Sequence, residues 1–334
     1  MRNIISIFHY TYQGPLAKIC ENFIEEKRAL GYSYNTEAKR LREFSCFSTN
    51  YDFPTNVLPE NVVNGWIARR PGETDRSQYA RLQLLKVFAE YMQRLGYEAY
   101  CPNKALLGKI QWYYTPYIFT HDEIRRFFSA IDNLECTPHS SAPRKHIVMP
   151  LLFRMLYCCG LRVSEATNLR CKNFDFSQGI ITIIESKFGK TRYVPLSEEM
   201  TALYRNYAEK YTIGPDSYFF RAPDDGPYGS RGVYSVFRDI LWAAGISHGG
   251  RGKGPRVHDF RHTFAVHCLE KMVREGSELT SVLPRLSAYL GHDDLAATER
   301  YLRLTAELYP EITSILDEKY GFILPRKEVS HENY

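Results

Sequence analysis

What most limits the fold is a long succession of helical periods interrupted only once by strand. Leu16, Ile19, Cys20, Phe23 and Ile24 recur at three- and four-residue spacing in a run that ends near Gly31. Asn35-Thr36-Glu37 opens a second helix carrying Leu41, Phe44 and Phe47. Two more are expected, from Pro59 to Ala68 and from Ser77 to Leu95. In the latter, Leu82, Leu85, Phe88, Ala89 and Met92 form one apolar stripe. These four make a small all-α domain. Pro102, Gly108 and Pro116 punctuate the stretch from Cys101 onward, which reads as the passage to a second domain. With 334 residues the chain has room for both, and the division is set at 1–113 and 114–334.

The second domain opens with Thr120 as a cap before acidic Asp122 and Glu123. Met149 to Tyr157 is apolar apart from Arg154 and suits a buried helix. Another helix follows Gly160, around Ser164 to Leu169. The strand signals are Gly179-Ile180-Ile181-Thr182-Ile183-Ile184 and Tyr193-Val194-Pro195-Leu196, joined across Ser186-Lys187-Phe188-Gly189-Lys190 as a hairpin. Beyond the glycine-rich loop from Gly245 to Pro255, the chain reads as helical almost to Tyr320. The expected class is therefore mostly α with a small β-sheet, α+β. No internal repeat is evident.

Composition excludes more than it identifies. A hydrophobic content of 44% with 24% charged residues describes a globular protein. The eight cysteines form no CxxC pair, and Cys158 and Cys159 are adjacent, so they read as reduced core residues of a cytoplasmic protein. The apolar run near Met1 is too short for a signal peptide, and no stretch is long enough for a bilayer. Net charge is only +5. Between Arg76 and Thr115, however, six Lys/Arg face two acidic residues, which makes Arg76, Arg81 and Lys86 candidates for contact with a polyanion. Arg251 and Lys253 of the glycine loop join them. A solvated helix face explains the same charges.

Chemistry enters through a set of residues in fixed order. Gly160-Leu161-Arg162-Val163-Ser164-Glu165 comes first, His258-Asp259-Phe260-Arg261 second, and Leu290-Gly291-His292 third, with Tyr301 nine residues after His292. Singly, each has an ordinary explanation: a surface arginine, a surface carboxylate, a packed tyrosine among 25. His-x-x-Arg even occurs twice. The copy at His248 and Arg251 lies among glycines that cannot hold two side chains in relation. The copy at His258 and Arg261 leads into a helical run, where residues three apart share a face. Together, arginines neutralise a phosphate, histidines move protons and hold oxygens, and a tyrosine can carry a covalent phosphoryl intermediate.

In these boxes the chain resembles the tyrosine site-specific recombinases, the phage-integrase family, from about Tyr117 to Tyr301. The helical segment before it is similar, more loosely, to that family's core-binding domain. The resemblance implies a catalytic set of Arg162, Lys187, His258, Arg261, His292 and the nucleophile Tyr301, with Glu165 supporting and Lys190 a rival of Lys187 in the same turn. It implies cutting and rejoining of double-stranded DNA through a 3′-phosphotyrosyl bond, without metal or other cofactor. A homotetramer assembled on DNA, accessory proteins and service to a mobile element or to chromosome resolution belong to the same expectation. His258 is expected to assist proton removal from Tyr301, oriented by Glu165, while His292 holds a phosphate oxygen.

Rival readings share parts of this pattern. A type IB topoisomerase uses comparable tyrosine chemistry, and a non-catalytic DNA-binding relative could keep the fold. A metal-dependent transposase is disfavoured because Asp259, Asp293 and Asp294 offer no converging acidic trio. A Walker loop at Gly249 to Gly254 fails because Ser247 and Gly254 stand where glycine and Ser or Thr are required.

Overall fold

A computed structural model describes residues 8–107, 115–135, 144–184, 191–212, 214–250 and 254–291, followed by Thr298, Arg300, Tyr301, Leu304, Thr305, Leu308 and Tyr309. The chain divides into two compact units between residues 114 and 115.

In the first unit the apolar stripes become helices α1 (Ala17–Ala29), α2 (Asn35–Ser48), α3 (Glu60–Ile67) and α4 (Asp75–Arg94). Their buried faces are those that the spacing singles out. Phe23 of α1, Phe44 of α2 and Phe88 of α4 have no exposed surface, and Phe88 meets the other two edge to face at 5.3 and 6.4 Å. Such ring pairs add about 0.5–1.5 kcal/mol beyond their burial. Helix α4 starts two residues before the expected Ser77 because Thr74 caps it, its hydroxyl accepting the Ser77 N–H at 3.2 Å. Two-residue strands β1 (Val57–Leu58) and β2 (Glu98–Ala99) pair in parallel beside the helices.

Arg81 corrects one expectation. Its side chain is only 3% exposed and pairs with Glu73, itself 8% exposed. The guanidinium donates to the Trp66 carbonyl and, at 3.0 Å, to that of Ala68, so it satisfies the orphan carbonyls at the end of α3. Its donors are taken up by Glu73 and these carbonyls. By contrast Arg76 is exposed and Lys86 is partly so. Arg81→Ala should strand a buried carboxylate and lower stability by about 3–5 kcal/mol. Chemical denaturation monitored at α4 checks this, and a loss within experimental error would return Arg81 to the surface charges.

The second unit contains α5 (His121–Asp132), α6 (Lys145–Cys158), α7 (Val163–Thr167), strands β3 (Phe174–Asp175), β4 (Ile180–Ile184) and β5 (Thr191–Pro195), then α8 (Glu198–Tyr211), α9 (Ser230–Ala243), α10 (Asp259–Arg274) and α11 (Leu279–Leu290). Thr120 and Glu123 form a reciprocal capping box at α5. The strands make one antiparallel sheet in the order β3-β4-β5, pairing Ile180 with Pro195 and Ile184 with Thr191. Ile181, Ile183 and Val194 bury the inner face.

Helix α10 is the central element. Phe260 near its start lies inside a cluster with Phe119, Phe127, Phe153 and Phe237, every ring less than 2% exposed. Polar groups on so buried a helix need partners. Thr263 accepts the Phe119 N–H at 3.1 Å, and Asp259 accepts the Arg256 N–H at 2.7 Å. These bonds fix the rotation of α10 and so aim Arg261 and His262. The described cysteines are free, although only Cys20 and Cys159 are buried and Cys158 is exposed.

Candidate active site

The turn after α6 sets the site's first wall. Gly160 has φ +59°, and a Cβ there would sit 2.5 Å from the Phe264 ring, so only glycine fits both the conformation and the space. Its carbonyl accepts from Nη1 of Arg261 at 2.8 Å, while Nη2 donates to the Leu290 carbonyl at 2.6 Å. Gly291, also left-handed at φ 67°, ends α11 and turns its own carbonyl toward Nη2 of Arg162 at 3.4 Å. The glycines of the first and third boxes thus present backbone oxygens to the two arginines.

Glu165 ties the cationic side together. Its Oε2 accepts the Arg162 N–H at 2.8 Å, closing the start of α7, and its Oε1 accepts from Nη1 of Arg162 at 2.7 Å. Arg192 of β5 donates to the same carboxylate at 3.1 and 2.8 Å, and its Nε donates to the Tyr289 carbonyl at 3.0 Å. Burial alone would raise the Glu165 pKa, but the bonds and charge of Arg192, then of Arg162, hold it below the usual carboxylate range. A carboxyl depressed by folding stabilises fully above its unfolded pKa of ~4.3, and that contribution is lost as pH falls through the folded value. Glu165→Gln should therefore lower stability at pH 7 by about 1–3 kcal/mol and flatten its decline on acidification. Denaturant midpoints measured from pH 7 down to 3 check this; an unaltered acid limb would contradict it.

Arg261 is 2% exposed. Burial, then repulsion from Arg162, lowers its pKa to about 10, which leaves it charged at neutral pH. His258, just before α10, keeps an exposed edge. Its pKa is lowered by burial and by Arg261 and Arg162, with Glu165 opposing, so the ring is neutral at pH 7. Arg162 and His258 line an open cavity of about 530 Å³ with Ser164, Tyr228 and Ser230.

Tyr301 is 3% exposed, packed with Ala265, Val266, Leu269 and Leu304. Its phenolic oxygen lies 2.9 Å from Nδ1 of His262, and the charge of Arg261 acts on it. Burial raises the phenol's pKa more than Arg261 and Arg300 lower it, so it is protonated at rest.

The structure thus brings Arg162, Glu165, His258, Arg261 and Tyr301 together. Lys187, Lys190, His292, Arg251 and Lys253 lie outside the described residues. Two expectations change: the hydrogen bonds of Glu165 run to Arg162 and Arg192, and the histidine that meets the phenol is His262. Both added residues left a signal in the sequence. Arg192 alternates with buried Val194 along one face of β5, and His262 follows His258 by one helical turn.

The phage integrase family pattern matches residues 118–307. A Sinorhizobium fredii protein, y4rB, classed provisionally as an integrase/recombinase, is 28% identical over 306 residues, covering 90% of this chain and 96% of its own. The tyrosine recombinase XerA of Pyrococcus furiosus is 28% identical over 246 residues, 72% of this chain and 73% of its own. The crystal structure of XerH recombinase bound to palindromic difH substrate after cleavage shares the fold, with a TM-score of 0.62 at 18% identity over 93% of this chain and 92% of that one. The family pattern spans more than half of the sequence and contains every element that builds this site, and the chain therefore belongs to the phage integrase family, the tyrosine recombinases.

Proposed function

We propose that the chain cuts and rejoins double-stranded DNA at specific sites, with Tyr301 as the nucleophile that holds the 3′-phosphate. The observation that carries this reading is a buried phenol that bonds His262 and feels the charge of the buried Arg261, beside an open cavity lined by a second arginine. Arg162 and Arg261 donate to the non-bridging phosphate oxygens, whose charge grows in the transition state. Glu165 and Arg192 hold Arg162 in place. His258 faces the cavity as a neutral phosphate contact, joined by His292, and Lys187 protonates the departing 5′-oxygen. Because the phosphotyrosyl ester conserves the broken bond's energy, a 5′-hydroxyl from a second duplex can reverse the step. Neither metal nor nucleotide is required chemically.

The first unit serves as the core-binding domain, with Arg76 and Lys86 among its contacts to the DNA backbone; such contacts make affinity steeply salt-dependent. Strand exchange between two duplexes calls for a tetramer on DNA, formed in the cytoplasm with whatever accessory proteins the natural site demands. Integration, excision or transposition of a mobile element and chromosome resolution are the tasks that this chemistry serves. The test is to incubate the protein with fragmented host or element DNA, recover the protein-linked fragments and sequence their junctions. Recurrent attachment at one sequence, with joined heterologous ends as products, supports recombination. A change of linking number without exchanged ends would identify a topoisomerase instead, and no linked DNA would indicate a binding protein.

A further inference from the structure

Resting on the recombinase reading above, we propose that His262 is itself a catalytic residue, the base that takes the phenolic proton of Tyr301. From the sequence, this role is expected of His258.

The geometry is direct. Nδ1 of His262 stands 2.9 Å from the phenolic oxygen, and the two rings lie 5.5 Å apart at 51°. For Nδ1 to accept the phenol's hydrogen, the neutral imidazole carries its own proton at Nε2. His262 is half-buried on the second turn of α10, whose rotation is fixed by Phe260, Arg261 and Thr263. A general base must reach the proton before its basicity matters, and this ring does. His258 occupies a different position. Its ring meets His262 edge to face at 4.8 Å and faces the cavity beside Arg162, on the side where a phosphate would enter. The two histidines, four residues apart on one helical face, divide the work between phosphate and phenol.

The need for such a base follows from where the nucleophile sits. Tyr301 is 3% exposed and packs in a cluster with Ala265, Val266 and Leu304, so solvent is a poor acceptor for its proton at neutral pH. In the step itself the bond from the phenolic oxygen to phosphorus forms while the bond from phosphorus to the 5′-oxygen breaks. The phenol's proton passes to His262 Nδ1. The electron pair of the broken bond stays on the 5′-oxygen, which takes a proton from the acid assigned to Lys187. On rejoining, a 5′-hydroxyl attacks, and the imidazolium returns its proton to the departing phenolate. No oxidant, metal or nucleotide is involved.

Among the described residues, the charged and titratable groups around this pair are His258, Arg261, Arg162, Glu165, Arg192 and Arg300, so the pH experiment includes a variant of the neighbouring imidazole. Single-turnover adduct formation on a nicked suicide duplex is followed from pH 5.5 to 9.5 in the full-length protein. The duplex carries whichever attachment sequence the junction mapping identifies. His262→Asn places an amide oxygen near the Nδ1 position, keeping an acceptor without a base. It should slow adduct formation by about 10²–10⁴-fold at pH 7. Its rate should then climb about tenfold per pH unit as hydroxide replaces the missing base. His262→Ala should be slowed at least as much, and His258→Asn should be slowed while keeping the wild-type pH dependence.

A His262→Asn protein with the wild-type rate and pH profile overturns the assignment. So does rescue by Asn of a defect seen with Ala, which would reduce His262 to a positioning residue. If His262→Ala does not fold, the asparagine variant decides alone. A wild-type protein that forms no adduct at Tyr301 overturns the recombinase reading and the base assignment together; an adduct that forms regardless of His262 overturns only the latter.

Discussion

Tyr301→Phe should bind the recombination site with the affinity of the wild type and form no covalent adduct, a loss of activity on the order of 10⁴-fold or more. The separation of binding from chemistry follows from how the ring is held. Its body packs against Ala265, Val266, Leu269 and Leu304, contacts that phenylalanine keeps. Only the hydroxyl disappears, and with it the bond to His262. That should change stability by about 0.5–1.5 kcal/mol, too little to unfold the domain. A gel-shift titration beside a denaturing gel for protein-linked DNA reads both halves. A Tyr301→Phe protein that still becomes attached to DNA would move the nucleophile elsewhere.

Arg261→Lys should be nearly as damaging even though it keeps the charge. The guanidinium donates in two directions at once, to the Gly160 carbonyl at 2.8 Å and the Leu290 carbonyl at 2.6 Å. Its charge also acts on the Tyr301 phenol. A lysine ammonium on a flexible stem cannot reproduce that planar fork, and one buried carbonyl would lose its donor at a cost of about 1–3 kcal/mol. The same fork would meet a phosphate oxygen. Removing one such donor from a preorganised oxyanion site costs about 10²–10³-fold in rate. Adduct formation by Arg261→Lys should fall by that factor, with a lowered unfolding midpoint. Wild-type rates in the lysine variant would show that charge alone suffices at this position.

The sequence was readable where one physical constraint dominated. Apolar residues at three- and four-residue spacing marked α1 to α4, and the Thr120–Glu123 pair marked the start of α5. Strands β1, β2 and β3 were invisible because two residues are too few to show a period. Arg81 was miscast for a related reason: counting charges does not reveal which charge is turned inward onto helix-end carbonyls. In the site, the box glycines had a function that spacing could not show. Positive φ at Gly160 and Gly291 turns carbonyl groups onto Arg261 and Arg162. His262 and Arg192 were overlooked although both share a face with residues that were singled out. Spacing shows which residues share a face, not which polar side chain on that face meets the phenol or the carboxylate.

The central claim is that Tyr301 forms the covalent bond to DNA. The most direct measurement is to trap the adduct on a nicked duplex, digest both components and identify the modified peptide by mass spectrometry. The account predicts one nucleotide joined through its 3′-phosphate to the phenolic oxygen of Tyr301, with a free 5′-hydroxyl on the released strand. Attachment through any other residue, or a 5′-linked phosphate, would contradict it.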